Sequence, residues 1–183
     1  MFSVDDGGGA NDGGNLDGGS ASCPTTPPTD NSACTIETLQ CEYGSAPQPM
    51  CNTLATCTNK AWHVTAPSKG GACQYTGRCP PSYKDVPQGA ACADAYPSVC
   101  VYSEGVCGCE PPLGGPTPLD AGGAARWSCD APKSGCPMPR PRLGSSCQPE
   151  GLQCNYSACV LPTGTSVMCE TGTWHEPRVV CPQ

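Results

Sequence analysis

Large aliphatic side chains are scarce in this 183-residue sequence. Leucine, isoleucine, valine and phenylalanine number 8, 1, 10 and 1, which is about 11 % of the chain and roughly half of what a conventional hydrophobic core requires. This scarcity excludes a Rossmann domain, a barrel enzyme, a helical bundle and a membrane-spanning segment. We therefore expect a protein that is held together by something other than a large apolar core.

Basic residues are few as well. The chain carries 9 Lys and Arg against 16 Asp and Glu, a net charge of −7, so it has no cationic surface that would neutralise nucleic-acid phosphates. The single cationic stretch, Arg140 and Arg142 between prolines, is interpreted as a stiff connector. We expect no nucleic-acid partner.

Recognisable catalytic and metal-binding motifs are missing. The sequence contains no Gly-x-Ser-x-Gly, no glycine-rich phosphate loop, no His-Glu-x-x-His and no Cys-x-x-Cys. Acid pairs such as Glu37 with Glu42 lack the apolar material that a pocket for general-acid catalysis needs. His63 and His175 each follow a tryptophan and are interpreted as exposed side chains beside a buried ring. We predict a protein that is not an enzyme and binds neither a metal nor a cofactor.

Cysteine, in contrast, is abundant. The 18 cysteines make up about 10 % of the chain, the level that is typical of a disulfide scaffold. Disulfides stabilise a small fold by restricting the unfolded chain, and they persist in oxidising compartments. The sequence therefore predicts an exported protein that is extracellular or lies on the outer cell surface.

The first 22 residues differ in composition from the rest of the chain. They are rich in glycine and contain four aspartates, which is typical of a flexible coil. We interpret 1–22 as an acidic tether. Because a disulfide protein must be exported, we expect that a leader has been removed and that a lipidated cysteine stood at or just before position 1. The membrane is then reached only through that lipid anchor.

The cysteines form a threefold repeat. Cys23, Cys79 and Cys136 are each followed by proline and lie 56 and 57 residues apart. Each copy continues with a run of small residues before its second cysteine, a Cys-x-Tyr sequence and a single tryptophan. Six cysteines per copy predict three tandem modules of three disulfides, and their boundaries are 23–78, 79–135 (with a Pro/Gly loop at 111–123) and 136–183.

The intervals between cysteines leave no room for an amphipathic helix of about 10–12 residues. We predict a small disulfide-rich fold, mostly irregular with short β-strands, in which the three modules form an elongated chain. Six cysteines allow 15 pairings, and the spacing does not choose among them. In an alternative frame Cys181, which also precedes a proline, starts a further module, and some bonds join neighbouring modules.

This layout resembles the repeats of cysteine-rich surface lipoproteins of the myxobacterial type. The resemblance covers 23–183 and follows the Gly/Asp-rich start. Cys107-Gly-Cys109 of the middle copy fits the Cys-x-Cys of that group best, whereas the outer copies depart from it. The resemblance implies export and lipid anchoring, and it supplies no catalytic residue.

The recurring aromatic residues are the candidate binding residues. They are Trp62, Trp127, Trp174, Tyr43, Tyr102 and Tyr156, one Trp and one Tyr for each copy. In one interpretation each pair forms the small core of its module. In the other, exposed rings contact a surface protein or a polysaccharide, and three weak sites add up to useful avidity. We predict a non-catalytic binding or structural protein.

A protease inhibitor is the alternative function, because a disulfide-locked loop binds with little entropy cost. Its candidate loops are 77–79 and 132–134, which contain Arg78 and Lys133. The basic residues do not recur at one position of the repeat, and this weighs against inhibition.

Overall fold

Short antiparallel strands joined by irregular segments make up this protein. The computed structural model describes residues 22–70, 73, 79–92, 99–110, 125–158 and 164–177. In this part of the chain there is no α-helix, and short 3-10 turns lie at Pro49–Cys51 and Tyr83–Asp85. The prediction of a small, disulfide-rich and mostly irregular fold with short strands is confirmed. The strands are β1 Gln40–Tyr43, β2 Thr53–Thr58, β3 Ala61–Thr65, β4 Val99–Val101, β5 Val106–Glu110, β6 Arg126–Asp130, β7 Gln153–Tyr156, β8 Thr165–Glu170 and β9 Thr173–His175.

These strands form three sheets, and in each the strand order follows the chain: β1-β2-β3, β4-β5-β6 and β7-β8-β9. We call them the first, second and third sheets. In every sheet the tryptophan of the last strand lies opposite a cysteine of the central strand. The pairs are Cys57 with Trp62, Cys109 with Trp127 and Cys169 with Trp174.

Eight disulfides are present among the described cysteines, and each closes a span of 17 to 23 residues. Counted within each copy of the repeat, the first cysteine bonds the third and the second bonds the fifth. In the first two copies the fourth bonds the sixth. The bonds are Cys23–Cys41, Cys34–Cys57, Cys51–Cys73, Cys79–Cys100, Cys92–Cys109, Cys107–Cys129, Cys136–Cys154 and Cys147–Cys169. Cys159 and Cys181, and with them the alternative frame, lie outside the described residues.

The fourth-to-sixth bond occupies different places in the first two sheets. Cys107 and Cys129 lie directly opposite each other on β5 and β6, where the first sheet has Ala55 opposite Val64. The corresponding cysteine of the first sheet, Cys51, ends the 3-10 turn before β2. A cross-strand disulfide thus replaces a cross-strand apolar contact, which explains why the close Cys-x-Cys spacing occurs only in the middle copy.

The run of small residues before each second cysteine packs along the tryptophan strand. Asn31, Gly89 and Gly144 begin these runs, have φ values of 63°, 75° and 80°, and donate their N–H to the carbonyl of the sheet's tryptophan. The tryptophan N–H returns a bond to the next residue of the run. Each run therefore pairs with the tryptophan strand through its backbone.

Two-residue turns close the last hairpins of the first and third sheets. Asn59 and Lys60 join β2 to β3 with positive φ, and Glu37 accepts hydrogen bonds from both of their N–H groups at 2.7 and 3.3 Å. Glu150 accepts in the same way from Thr171 and Gly172 at 2.6 and 3.2 Å. The shared Cys-x-x-Glu spacing therefore supports a hairpin turn. In the second sheet, a longer connection joins β5 to β6.

The first and third sheets are in contact, although the second sheet lies between them in the sequence, and the elongated shape stays a prediction. The N–H of Glu42 on β1 donates to the carbonyl of Leu143 at 3.2 Å, and the N–H of Glu176 donates to the Gln40 side chain at 2.8 Å. Leu54 of β2 packs against the core of the third sheet. The segment before β7 thus covers β1, an edge strand of the first sheet, and an edge left open would have unpaired backbone groups.

Candidate functional site

Burial separates the six candidate aromatic residues into two groups. Trp62, Trp174 and Tyr156 are 6 %, 3 % and 4 % exposed and belong to the cores of the first and third sheets. Trp127, Tyr43 and Tyr102 are half-buried. As these sheets are folded, the two buried indoles offer no surface to a ligand. Three equivalent binding platforms, one per sheet, are therefore not formed.

Tyr43, Tyr102 and Tyr156 occupy the same position of the repeat, but their hydroxyl groups differ in hydrogen bonding. Tyr102 donates to the carbonyl of Pro80 at 2.8 Å, and Tyr156 donates to the carbonyl of Pro137 at 2.6 Å. Each acceptor is the proline that follows the first cysteine of its copy. The hydroxyl of Tyr43 is buried without a hydrogen-bond partner among the described residues. Burial raises the pKa of Tyr156 to about 12, although the nearby Arg140 charge acts to lower it.

Among the described residues, the second sheet has the largest group of half-buried aromatic side chains. Tyr83, Tyr102 and Trp127 are all half-buried and pack against the small core of Val86, Cys100 and Cys107. The Tyr83 and Tyr102 rings meet edge to face, with centroids 5.8 Å apart and planes at 80°. We call Tyr83, Tyr102 and Trp127 the aromatic face. Aligning the three copies of the repeat does not reveal Tyr83, because this residue has no counterpart in the other two copies.

Carboxylates surround this aromatic face. The pKa of Tyr83 is raised by burial and further by the charges of Asp130 and Glu104. The pKa of Tyr102 is raised by burial and by the charge of Asp85. Asp85 also accepts a hydrogen bond from the Ser82 hydroxyl. The face therefore combines half-exposed rings with negative charge.

A second feature that sequence reasoning missed is a buried ion pair. Arg140, which was interpreted as part of a stiff connector, is 9 % exposed, and its guanidinium bonds both carboxylate oxygens of Glu42 at 2.9 and 2.7 Å. Burial acts to raise the pKa of Glu42, but hydrogen bonds and charge from Arg140, with the Leu143 N–H and the Asn52 amide, hold it below its ordinary value. The Glu42 carboxylate is thus bonded to Arg140, Leu143 and Asn52, and it does not form an acid pair with Glu37.

Side chains that could ligate a metal are not clustered in the described part of the chain. The described residues hold no group of three or more His, Cys, Asp or Glu side chains that could bind a metal ion. A shallow depression at 147–150 is lined by Glu150, whose carboxylate already supports the hairpin turn. His63 is exposed, whereas His175 is half-buried and bonds the Thr173 hydroxyl at 2.8 Å.

The described structure adds no support for the two candidate inhibitor loops, 77–79 and 132–134. Arg78 lies outside the described residues. Lys133 is exposed, and its carbonyl accepts a turn hydrogen bond from Cys136 at 3.2 Å.

Comparisons with protein-family models, with curated proteins and with solved structures find no match. The disulfides remain the most informative chemical feature of the chain. Eight bonds of this kind are typical of a small disulfide-stabilised protein in an oxidising, extracellular compartment. Over the residues that the structure describes, no helix is long and apolar enough to cross a membrane.

Proposed function

We propose that this chain is a non-catalytic binding protein of the outer cell surface, built from three tandem six-cysteine modules and attached to the membrane by a lipid at its N-terminus. The repeat of the disulfide pattern and of the strand order supports the modules. The acidic, glycine-rich segment 1–22 suits a tether that holds a folded body away from a membrane. The resemblance to myxobacterial lipoproteins agrees with this anchoring.

The aromatic face of the second sheet is the proposed contact surface. In the third sheet both recurring aromatic residues are buried, and in the first the tryptophan is buried, whereas the second sheet leaves Trp127 and Tyr102 half-exposed beside Tyr83. Tryptophan and tyrosine dominate the binding energy of many protein interfaces. Because disulfides and paired strands hold these rings in place, little entropy is lost when a partner binds.

The geometry favours a protein partner over a polysaccharide. The Tyr83 and Tyr102 rings lie at 80° to each other and form a corner, not a flat platform against which a sugar ring could stack. The surrounding Asp85, Glu104 and Asp130 charges favour a partner that presents cationic side chains next to an apolar anchor. We therefore expect binding that weakens as salt concentration rises.

The test is binding of the purified chain to intact cells of the producing organism. Protease treatment of those cells should abolish binding, and periodate oxidation of their glycans should leave it intact. Tyr83→Ala should weaken binding about tenfold, whereas the adjacent exposed Lys84→Ala should not weaken it. Loss of binding after periodate alone would assign a polysaccharide, and no binding to any cell preparation would refute the proposal.

The lipid anchor is tested separately by mass spectrometry of the native protein. An unlipidated N-terminus would exclude the anchor.

A further inference from the structure

Arg140 contacts more than one part of the chain. Its guanidinium bonds Glu42 of the first sheet and, through Nε, the carbonyl of Pro47 at 2.9 Å. Its backbone N–H donates to the carbonyl of Ser103, which follows β4 of the second sheet, at 2.6 Å. Arg140 itself belongs to the segment that leads into the third sheet. One residue of the segment before the third sheet therefore bonds the first sheet and the loop that follows β4 of the second sheet.

The Glu42 carboxylate, which pairs with the Arg140 guanidinium, also accepts hydrogen bonds from other residues. Glu42 accepts a hydrogen bond from the Leu143 N–H at 3.1 Å and another from the Asn52 side-chain amide. Asn52 is fixed in turn, because it exchanges hydrogen bonds with the backbone of Ala46 at 2.9 and 3.0 Å. We call Glu42, Asn52, Arg140 and Leu143 the junction. Both charges of the junction are out of water, with side-chain exposures of 4 % for Arg140 and 1 % for Glu42.

Among the described cysteines, by contrast, each disulfide stays within one copy of the repeat. None of the eight disulfides joins cysteines of two different sheets. Among the described residues, the hydrogen bonds between the first and third sheets are those of the junction, the bond from Arg140 to Pro47 and the bond from Glu176 to Gln40. A buried charge whose partner is removed is strongly unfavourable. In the described residues, disulfides therefore hold each copy of the repeat together, whereas the first and third sheets meet through the buried ion pair, these hydrogen bonds and the packing of Leu54.

We infer that the junction locks the first and third sheets together, and that breaking it separates these two sheets without unfolding either. The disulfides of each sheet maintain its fold when the junction opens. This inference does not depend on which partner the chain binds.

The test compares Glu42→Gln with Glu37→Gln by amide hydrogen exchange in the ¹⁵N-labelled full chain. Both residues are glutamates of the first sheet, but Glu37 bonds only backbone N–H groups of its own sheet. We expect Glu42→Gln to accelerate exchange at the amides of residues 42 and 176 on the order of 100-fold, with an increased radius of gyration. The amide of Trp174, which bonds Ser145 inside the third sheet, should keep its rate. Glu37→Gln should leave residues 42 and 176 unchanged.

Two results would overturn the inference. One is exchange at residues 42 and 176 that stays within about threefold of the original rate. The other is equal acceleration at Trp174, which would mean general destabilisation instead of separation. If Glu42→Gln does not fold, Arg140→Lys is the second variant. A lysine ammonium keeps the positive charge but cannot form the bidentate hydrogen bonds of the guanidinium. We expect about tenfold acceleration at the same amides, and non-reducing peptide mapping should return the same eight disulfides.

Discussion

Gly144 lies directly against the sulfur of Cys23, at the contact between the first and third sheets. A Cβ added to Gly144 would collide with that Sγ atom and with the carbonyl oxygen of Gln40. Gly89 occupies the same position of the repeat in the second sheet with nearly the same φ, 75° against 80°, but a Cβ there meets nothing within 4 Å. The two glycines therefore differ in what they touch and not in their conformation.

The pair makes a matched test of the contact. Gly89→Ala should cost about 1 kcal/mol in the free energy of unfolding, because a left-handed conformation is unfavourable for any residue with a Cβ. Gly144→Ala should cost about 3 kcal/mol, since overpacking against Cys23 adds to the same conformational penalty. Denaturant unfolding with intact disulfides measures both values. Equal costs for the two variants would mean that the first and third sheets do not meet in solution.

Tyr156 and Tyr43 form a second matched pair. Tyr156→Phe removes the hydrogen bond to Pro137 and should lower the free energy of unfolding by about 1 kcal/mol. Tyr43→Phe removes a buried hydroxyl that has no partner among the described residues, so the change should be neutral or stabilising. A spectrophotometric titration should also lose its last-titrating tyrosine, with a pKa of about 12, in Tyr156→Phe alone. Similar destabilisation by both substitutions would contradict this assignment.

Thr38 is expected to be a site of stabilisation. It is exposed, has a φ of 66° and donates its N–H to the carbonyl of Cys57, just as Gly151 with a φ of 78° donates to Cys169. A β-branched residue is strained in this conformation and glycine is not. Thr38→Gly should therefore raise the free energy of unfolding by about 1 kcal/mol, and Gly151→Ala should lower it by a similar amount. The denaturant midpoint reports both, and destabilisation by Thr38→Gly would refute the argument.

Acid should weaken the junction. The pKa of Glu42 is held below its ordinary value of 4.5 in the folded protein, so its contribution to stability is present above that pH and is lost as the pH falls through the lowered pKa. Glu176, which faces Arg140 and Glu42, has a pKa raised by burial, and its ionisation acts in the opposite direction. Thermal unfolding from pH 6 to pH 2 should show a steeper acid loss in the original chain than in Glu42→Gln. Parallel curves would show that Glu42 does not titrate with a lowered pKa.

Local features of the fold could be predicted from the sequence, and the reason is the short span of the interactions that create them. The scarcity of aliphatic residues together with 18 cysteines indicates a disulfide scaffold. The eight bonds close spans of at most 23 residues, so a repeat of local spacing is also a repeat of local structure. The turns that Glu37 and Glu150 support and the small-residue runs also depend on interactions within one copy of the repeat. Their structural role is visible only in the hydrogen bonds of the folded chain.

The candidate site was less accessible to sequence reasoning. Trp62, Trp127 and Trp174 look equivalent in the repeat, but their exposure depends on packing, which the spacing does not encode. Tyr83 lies outside the repeated pattern and was missed for that reason. Non-catalytic function, lipid anchoring and the absence of a metal or cofactor stay predictions.

By itself, the sequence determined the class of protein, the kind of bond that stabilises it and the presence of short strands between its cysteines. Only the tertiary structure decided which aromatic rings are left accessible and how the sheets meet. Glu42 and Arg140 are separated by 98 residues, and neither belongs to a pattern that repeats or alternates. A pair of this kind forms because burial leaves each charge with one suitable partner, and that choice is made by the packing of the whole chain.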